Sequence, residues 1–209
     1  MRLILASSSP RRKEILNLLG IPFQVIMPQF DEILTQHRAI ADEVRDFALG
    51  KAQSVAKNRP QSIVIGSDTM ISLEAEKIGK PVNIEHARDI LRSLSGNVHR
   101  IYTSIVIIDG LGGAGLSVVE EVRVTMRRFS EDEINDYLAR GESLDKAGAY
   151  SIQGYGRDLI EAIDGDYLAA VGLPLLPIAD YLRSRDMAFT GNIDALYRDK
   201  AFLNWASFS

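Results

Sequence analysis

The hydrophobic pattern of the chain changes period several times, and each change marks an element. Leu3 to Ala6 is a continuous apolar stretch of buried-strand type. Ser7-Ser8-Ser9-Pro10 then supplies an N-cap at Ser9 and a proline at the first position of a helix whose apolar side is Ile15, Leu16, Leu18 and Leu19. Gly20 suits a left-handed cap and Pro22 bars continuation. Phe23 to Ile26 reads as a second strand, Phe30 to Gln36 as loop, and Ala39 to Lys57 as a helix through the spacing of Val44, Phe47, Ala48 and Val55. The apolar run Ser62 to Gly66 predicts a buried strand that delivers Asp68 and Thr69 at or just beyond its C-terminal end.

Helical spacing returns after Asn83, a cap candidate, with Ala87, Ile90, Leu91 and Leu94, and Gly96 closes that element. The period then drops to two. Ile101, Thr103, Ile105 and Ile107 on one side of Gly110 to Gly115, and Val118 to Met126 on the other, predict two long antiparallel strands joined by a glycine-rich turn. Ser130-Glu131-Asp132-Glu133 is a capping box for a helix using Ile134, Tyr137 and Leu138. Gly141 to Gly156 is loop-rich, and a final helix starts near Pro174 and runs through Ile178, Tyr181 and Leu182. Beyond Met187 the pattern is ambiguous. No repeat, low-complexity block or linker separates independent domains.

Composition narrows the function. The 209 residues are 46% hydrophobic, enough for a substantial core. Twenty-eight acidic against 24 basic side chains give a formal charge of −4, which argues against nucleic acid as a partner. The absence of cysteine excludes disulfides, thiolate metal sites and a cysteine nucleophile. The apolar start is too short for a signal segment and no run reaches the ~18 residues of a membrane span, so the expected location is the cytoplasm, with no membrane partner.

Several residues carry candidate chemistry. Gly110-Leu111-Gly112-Gly113-Ala114-Gly115 matches the spacing of a dinucleotide fingerprint, but that device needs a helix next, and strand-like alternation follows instead. The Ser7 to Arg12 loop feeds a helix N-terminus, which attracts phosphate; two arginines at a helix start oppose the dipole and need some other benefit, such as a bound polyanion. The alternative is a solvated basic turn. Asp68 reads as a metal or proton-handling carboxylate or as a turn former, with Thr69 as a companion donor. Lys80, between Gly79 and Pro81, and Lys51, on its helix, read as phosphate contacts or as surface lysines. Glu32 says nothing alone, and His37, His86 and His99 lack ligand spacing. In Asp145 to Gly154, small residues permit close approach to a planar ligand, and Gln153 offers a donor and an acceptor to a base edge.

These fragments occur together, in order: Leu5 to Arg12, Gly66-Ser67-Asp68-Thr69, Gly79-Lys80-Pro81, Leu94 to His99, Asp145 to Gly154 and Val171-Gly172-Leu173-Pro174. In this the chain resembles the Maf-type nucleoside triphosphate pyrophosphatases, over roughly Leu3 to Arg185. The resemblance implies an α/β fold with a long twisted mixed sheet, flanking helices and two lobes around a central cleft, as in inosine triphosphatase-like proteins, and usually a homodimer. It implies a domain over residues 1–187, with 188–209 as a C-terminal extension of unassigned role. It also implies hydrolysis of a nucleoside triphosphate to monophosphate and pyrophosphate with Mg²⁺ or Mn²⁺. Asp68 then matches the catalytic carboxylate and, with Glu32, the metal-binding acids. Ser7, Ser9, Arg12, Lys51 and Lys80 match the phosphate-binding set, and Arg11, Thr69 and Gln153 the positions of substrate choice. The loop Tyr150 to Gly154 resembles the branch acting on dTTP and UTP.

The chemistry is coherent without the name. A triphosphate needs cations to draw off developing charge and a carboxylate to hold metal or accept the proton of attacking water. Hard oxygen ligands suit Mg²⁺ or Mn²⁺. Gln153 and Thr69 are expected to read a pyrimidine edge. The competing readings are a pyrophosphatase for modified or purine nucleotides such as 7-methyl-GTP, and a nucleotide-sensing regulator of septum formation.

Overall fold

The computed structural model describes residues 2–35, 37–110 and 115–208. One mixed sheet organises them. In chain order the elements are β1 (Arg2–Ala6), α1 (Pro10–Asn17), β2 (Phe23–Ile26), α2 (Ile40–Ala56), β3 (Ser62–Leu73), β4 (Glu76–Ile78), α3 (Ile84–Leu94), β5 (Val98–Asp109), β6 (Leu116–Met126), α4 (Glu131–Leu138), β7 (Ile160–Asp164), α5 (Tyr167–Val171), α6 (Leu175–Ser184) and α7 (Ile193–Arg198). The strands run in the order β2-β1-β3-β5-β6-β7, with β4 added to the far end of β3. The pairs β2–β1 and β1–β3 are parallel and the rest antiparallel.

Both faces of the sheet are covered, which is why β1 and the first half of β3 read as apolar runs. Alternation still sorts their side chains. Leu3, Leu5, Ile63 and Ile65 enter the main core, while Ile4, Ala6 and Val64 face α2 and meet Ala52 and Val55. At Gly66, a Cβ would lie 2.2 Å from the Ala48 carbonyl oxygen, so the glycine lets α2 lie directly on β3.

The predicted punctuation is in place. Ser9, Asn83 and Ser130 cap α1, α3 and α4, the last with a complete capping box, and Gly20 and Gly96 have positive φ. The strand β6, not a helix, follows the glycine-rich segment, and the turn residues 111–114 themselves lie outside the described residues, as does Gln36 of the loop before α2.

One expectation needs correction. Asp68 and Thr69 do not end a strand at Gly66; β3 continues to Leu73, because its second half pairs with β5 from Ser67 opposite Ile105 to Leu73 opposite His99. The short elements β4, β7, α5 and α7 carry too few residues to show a period, and the pattern missed them. Residues after Met187 pack into the main core through Ile193, Leu196 and Trp205, the last stacked at 5.4 Å on Tyr167.

Candidate functional site

The sheet has a gap, and the site lies in it. Along one side of β3, β1 pairs as far as Gly66, and β4 takes over from Ile71. Among the described residues, Ser67 to Met70 therefore have a partner strand only in β5, and the side vacated by β1 opens into a cavity of about 870 Å³. The loop after β1 borders that opening, so Ser7, Ser9, Arg11 and Arg12 line it, together with Glu32, Lys51, Asp68, Thr69, Lys80 and Gln153. Every site residue singled out in the sequence reaches this one cavity.

Its acidic side is organised by one ammonium. Lys51, on α2 where that helix crosses Gly66, places Nζ 2.5 Å from Asp68 Oδ1 and 2.5 Å from Glu32 Oε1. Asp68 and Lys51 are both buried, while Glu32 is half-exposed on its loop. Burial pushes the Asp68 carboxyl above its ordinary range, against the pull of Lys51 and Arg12. Asp68 Oδ2 has no hydrogen-bond partner among the described residues.

The serine loop is partly self-satisfied. Ser7 Oγ accepts from the Ser9 amide at 3.1 Å, and Ser9 Oγ from the Arg12 amide at 3.4 Å. Those two amides are spent on the loop itself. Its remaining offer to a ligand includes the Ser7 and Ser9 hydroxyl protons, which have no acceptor among the described residues. Arg12 donates from Nε to the Gly172 carbonyl at 2.9 Å and from Nη2 to Thr69 Oγ1 at 3.0 Å. Nη1 is left without a protein acceptor among the described residues.

Thr69 does not act as the expected companion donor to Asp68. Successive residues of a strand point to opposite faces, so while Asp68 meets Lys51 of α2, Thr69 meets Arg12 and the Thr103 hydroxyl, 3.0 Å away. Among the described residues, Gln153 Nε2 makes only a long 3.5 Å contact, with Glu14 Oε2. Arg11 and Lys80 have no hydrogen-bonded or ion-paired partner among the described residues.

Other lining residues escaped the sequence reading of roles. Lys146 adds a cation, held by Asp145 at 2.6 Å and the Glu142 carbonyl at 3.0 Å. Ile71, Ile101, Tyr150 and Ile152 form apolar wall. Tyr150 is fixed from behind by the fully buried His99, whose Nε2 lies 2.8 Å from the phenol oxygen; burial lowers that imidazole to about 4, so it is neutral at pH 7. A second ion pair anchors the Glu32 loop. Lys77 bonds both Glu43 Oε2, at 2.5 Å, and the Thr35 carbonyl, at 2.6 Å, while Glu43 Oε1 accepts from the Thr35 amide. No local pattern marks such a partnership, because its members are far apart in the chain.

A mixed α/β scaffold whose cleft gathers Glu32, Asp68 and Asp145 with Arg11, Arg12, Lys51, Lys80 and Lys146 has the cations to hold a polyanion, as phosphate-transfer chemistry requires. The chain belongs to the Maf family: the family model for Maf-like proteins matches residues 2–185. Its relatives include proteins named dTTP/UTP pyrophosphatase from Bacillus cereus (strain B4264), 39% identical over 189 residues, and from Bacillus anthracis, 40% identical over the same length. Each alignment covers 90% of this chain and 98% of the relative. Among solved structures, the Staphylococcus aureus Ham1 protein is similar at 15% identity and a TM-score of 0.46, over 78% of this chain and 81% of that one.

Proposed function

We propose that the protein hydrolyses dTTP and UTP to the nucleoside monophosphate and pyrophosphate. The observation that carries this reading is the convergence of buried Asp68 and half-exposed Glu32 on Lys51 inside a cavity lined by four further cations, Arg11, Arg12, Lys80 and Lys146. A triphosphate brings about four negative charges, and burying them requires such a set. The names carried by the Bacillus relatives support the choice of nucleotides.

Water attacks the α-phosphorus, the α–β anhydride bond breaks, and pyrophosphate leaves. Arg12 Nη1, Lys80 and the Ser7 and Ser9 hydroxyls face the phosphate chain and neutralise its charge as it shifts to the leaving group. Asp68 Oδ2 accepts the proton of the attacking water, and Lys51 holds the carboxylate in place through Oδ1. The residues present fit a hard divalent cation. Asp68 and Glu32 each bond Lys51 through one carboxylate oxygen and keep the other for a ligand, and among the described residues no cluster of three or more acidic or histidine ligands exists. Mg²⁺ or Mn²⁺ suits so small a protein contribution, since Mg²⁺ is commonly bound by one or two carboxylates and substrate phosphates; when bound, it supplies charge stabilisation at the phosphoryl oxygens. Gln153 reads the pyrimidine edge by its amide, beside the apolar wall of Ile71 and Ile152. No helix among the described residues is long and apolar enough to cross a membrane. The cytoplasm, which holds the nucleotide pool, is the expected place of this activity.

The test is pyrophosphate release from dTTP, UTP, CTP, ATP, GTP and 7-methyl-GTP with Mg²⁺ or Mn²⁺, for the wild type and Asp68→Asn. Turnover of dTTP and UTP is expected, with a loss in Asp68→Asn of about a hundredfold or more. Preference for a purine overturns the base assignment, tight binding without turnover indicates a sensor, and wild-type turnover by Asp68→Asn removes Asp68 from the chemistry.

A further inference from the structure

We infer that Thr103 is a positioning residue for the phosphate chain: it commits the hydroxyl of Thr69 to accept from Arg12, and so aims that guanidinium into the cleft. Thr103 lies opposite Thr69 in the β3–β5 register and is fully buried. Arg12 and Thr69 line the cavity, whereas Thr103 is absent from the lining, so Thr103 acts through its neighbours.

The direction of every proton in this chain follows from its two ends. Thr103 Oγ1 lies 2.8 Å from the Ala169 carbonyl oxygen, which can only accept, so the single Thr103 proton is spent there. The 3.0 Å contact between the two threonine hydroxyls must then use the proton of Thr69. Thr69 is left with lone pairs only, and Arg12 Nη2, which can only donate, meets one of them at 3.0 Å. A carbonyl at one end and a guanidinium at the other thus polarise the whole chain in one sense, and each bond strengthens the next.

The same short segment holds the guanidinium a second time. Gly172, immediately after α5, presents its carbonyl oxygen to Arg12 Nε at 2.9 Å and to Ser67 Oγ at 3.1 Å. Asp166 anchors the start of that helix by accepting from the Leu168 and Ala169 amides. Two fixed points on a planar group set its orientation, and Nη1 projects from them without a protein acceptor among the described residues. One consequence reaches the base. With its proton committed to Thr103, Thr69 cannot donate to a nucleobase, so a donor at the pyrimidine edge must come from another group of the cavity, such as the Gln153 amide.

The inference rests on the pyrophosphatase reading only in taking a phosphate chain as the ligand of Arg12. The test is a double-mutant cycle read by calorimetry with inorganic pyrophosphate and Mg²⁺, beside steady-state kinetics with dTTP. Thr103→Val keeps the shape and removes the relay; it is expected to weaken pyrophosphate binding about tenfold and to raise KM for dTTP by a similar factor. Thr103→Ser, which keeps the hydroxyl, is expected within about twofold of wild type. In an Arg12→Lys background, which lacks Nη2, Thr103→Val should cause no further loss. Thr103→Ala repeats the cycle if the valine variant does not fold. Wild-type affinity in both hydroxyl-free variants, or an undiminished loss in the Arg12→Lys background, overturns the inference. A wild type that binds pyrophosphate yet hydrolyses no triphosphate overturns the functional reading alone, since the calorimetric cycle still judges Thr103.

Discussion

Replacing Lys77 with methionine should unfasten the loop that carries Glu32. The Lys77 ammonium bridges α2 and the loop by bonding Glu43 Oε2 and the Thr35 carbonyl, and Glu32 lies three residues before that carbonyl. Methionine keeps most of the apolar stem and removes both bonds. Glu43 is then an unpaired carboxylate with a side chain only 1% exposed, relieved only by the Thr35 amide. Breaking a buried pair from one side costs about 3–5 kcal/mol; because the Lys77 side chain is 17% exposed and water can follow it out, the lower end, about 3 kcal/mol, applies. For a chain of this size that is a fall in Tm of about 6–12 °C.

The sign with pH is opposite in the two proteins. In the wild type, the Lys77 and Thr35 bonds outweigh the opposing desolvation and hold Glu43 below its ordinary 4.5, so the pair contributes stability that is present above 4.5 and lost as pH falls through the lowered value. In Lys77→Met the desolvated carboxyl is pushed upward instead, and acid relieves the penalty by protonating it. The difference between the two proteins should therefore be full at pH 7 and shrink as pH falls toward 4.5. Urea melts at several pH values measure it, and Lys77→Met/Glu43→Gln should recover most of the loss at pH 7. A single variant within about 1 kcal/mol of wild type, or a double variant no better than the single, would refute the idea that Glu43 depends on Lys77.

Two further perturbations probe the same framework. Gly50→Ala on α2 would put a Cβ 2.1 Å from the Phe30 ring, which packs edge-on against Phe47, so the ring and the Glu32 loop must shift. Helix propensity gains about 1 kcal/mol, so Tm should hold while kcat falls about ten- to a hundredfold; unchanged turnover would show that the position of Phe30 does not matter to the site. His99 is neutral when folded, at about 4 against 6.5 unfolded, so the unfolded chain takes up a proton first and stability falls between those values, by about 3 kcal/mol in all. His99→Gln should flatten that limb of the stability–pH curve, and a limb equally steep in the variant would sink the assignment.

The local elements were legible because their signals are local. A serine and a proline set the start of α1, a serine and a glutamate that of α4, and a glycine the end of α3, and none needs a distant partner to be read. The candidate site residues became legible in another way, as ordered motifs that resemble a family, and they converge because β1 stops at Ala6, opposite Gly66, and leaves β3 half-paired. The extent of β3 was misjudged for a related reason. Ser67, Asp68 and Thr69 break the apolar run, yet they stay in the strand because their side chains find Gly172, Lys51 and Thr103, partners that only the folded chain supplies.

What stayed hidden is everything that depends on register. Thr69 meets Thr103 only because β3 and β5 pair with Ile63 opposite Asp109, six positions up the same ladder, and Glu43 meets Lys77 only because β4 folds back on Leu73. A slip of one residue along β5 would turn Thr103 to the opposite face, strand Thr69 beside serine or tyrosine, and leave the Ala169 carbonyl without its donor. The polar relay behind Arg12 is therefore a consequence of the apolar register rather than a motif beside it: Ile101 and Ile105, on either side of Thr103 and both in the main core, can be buried only in the alignment that also brings the two hydroxyls together.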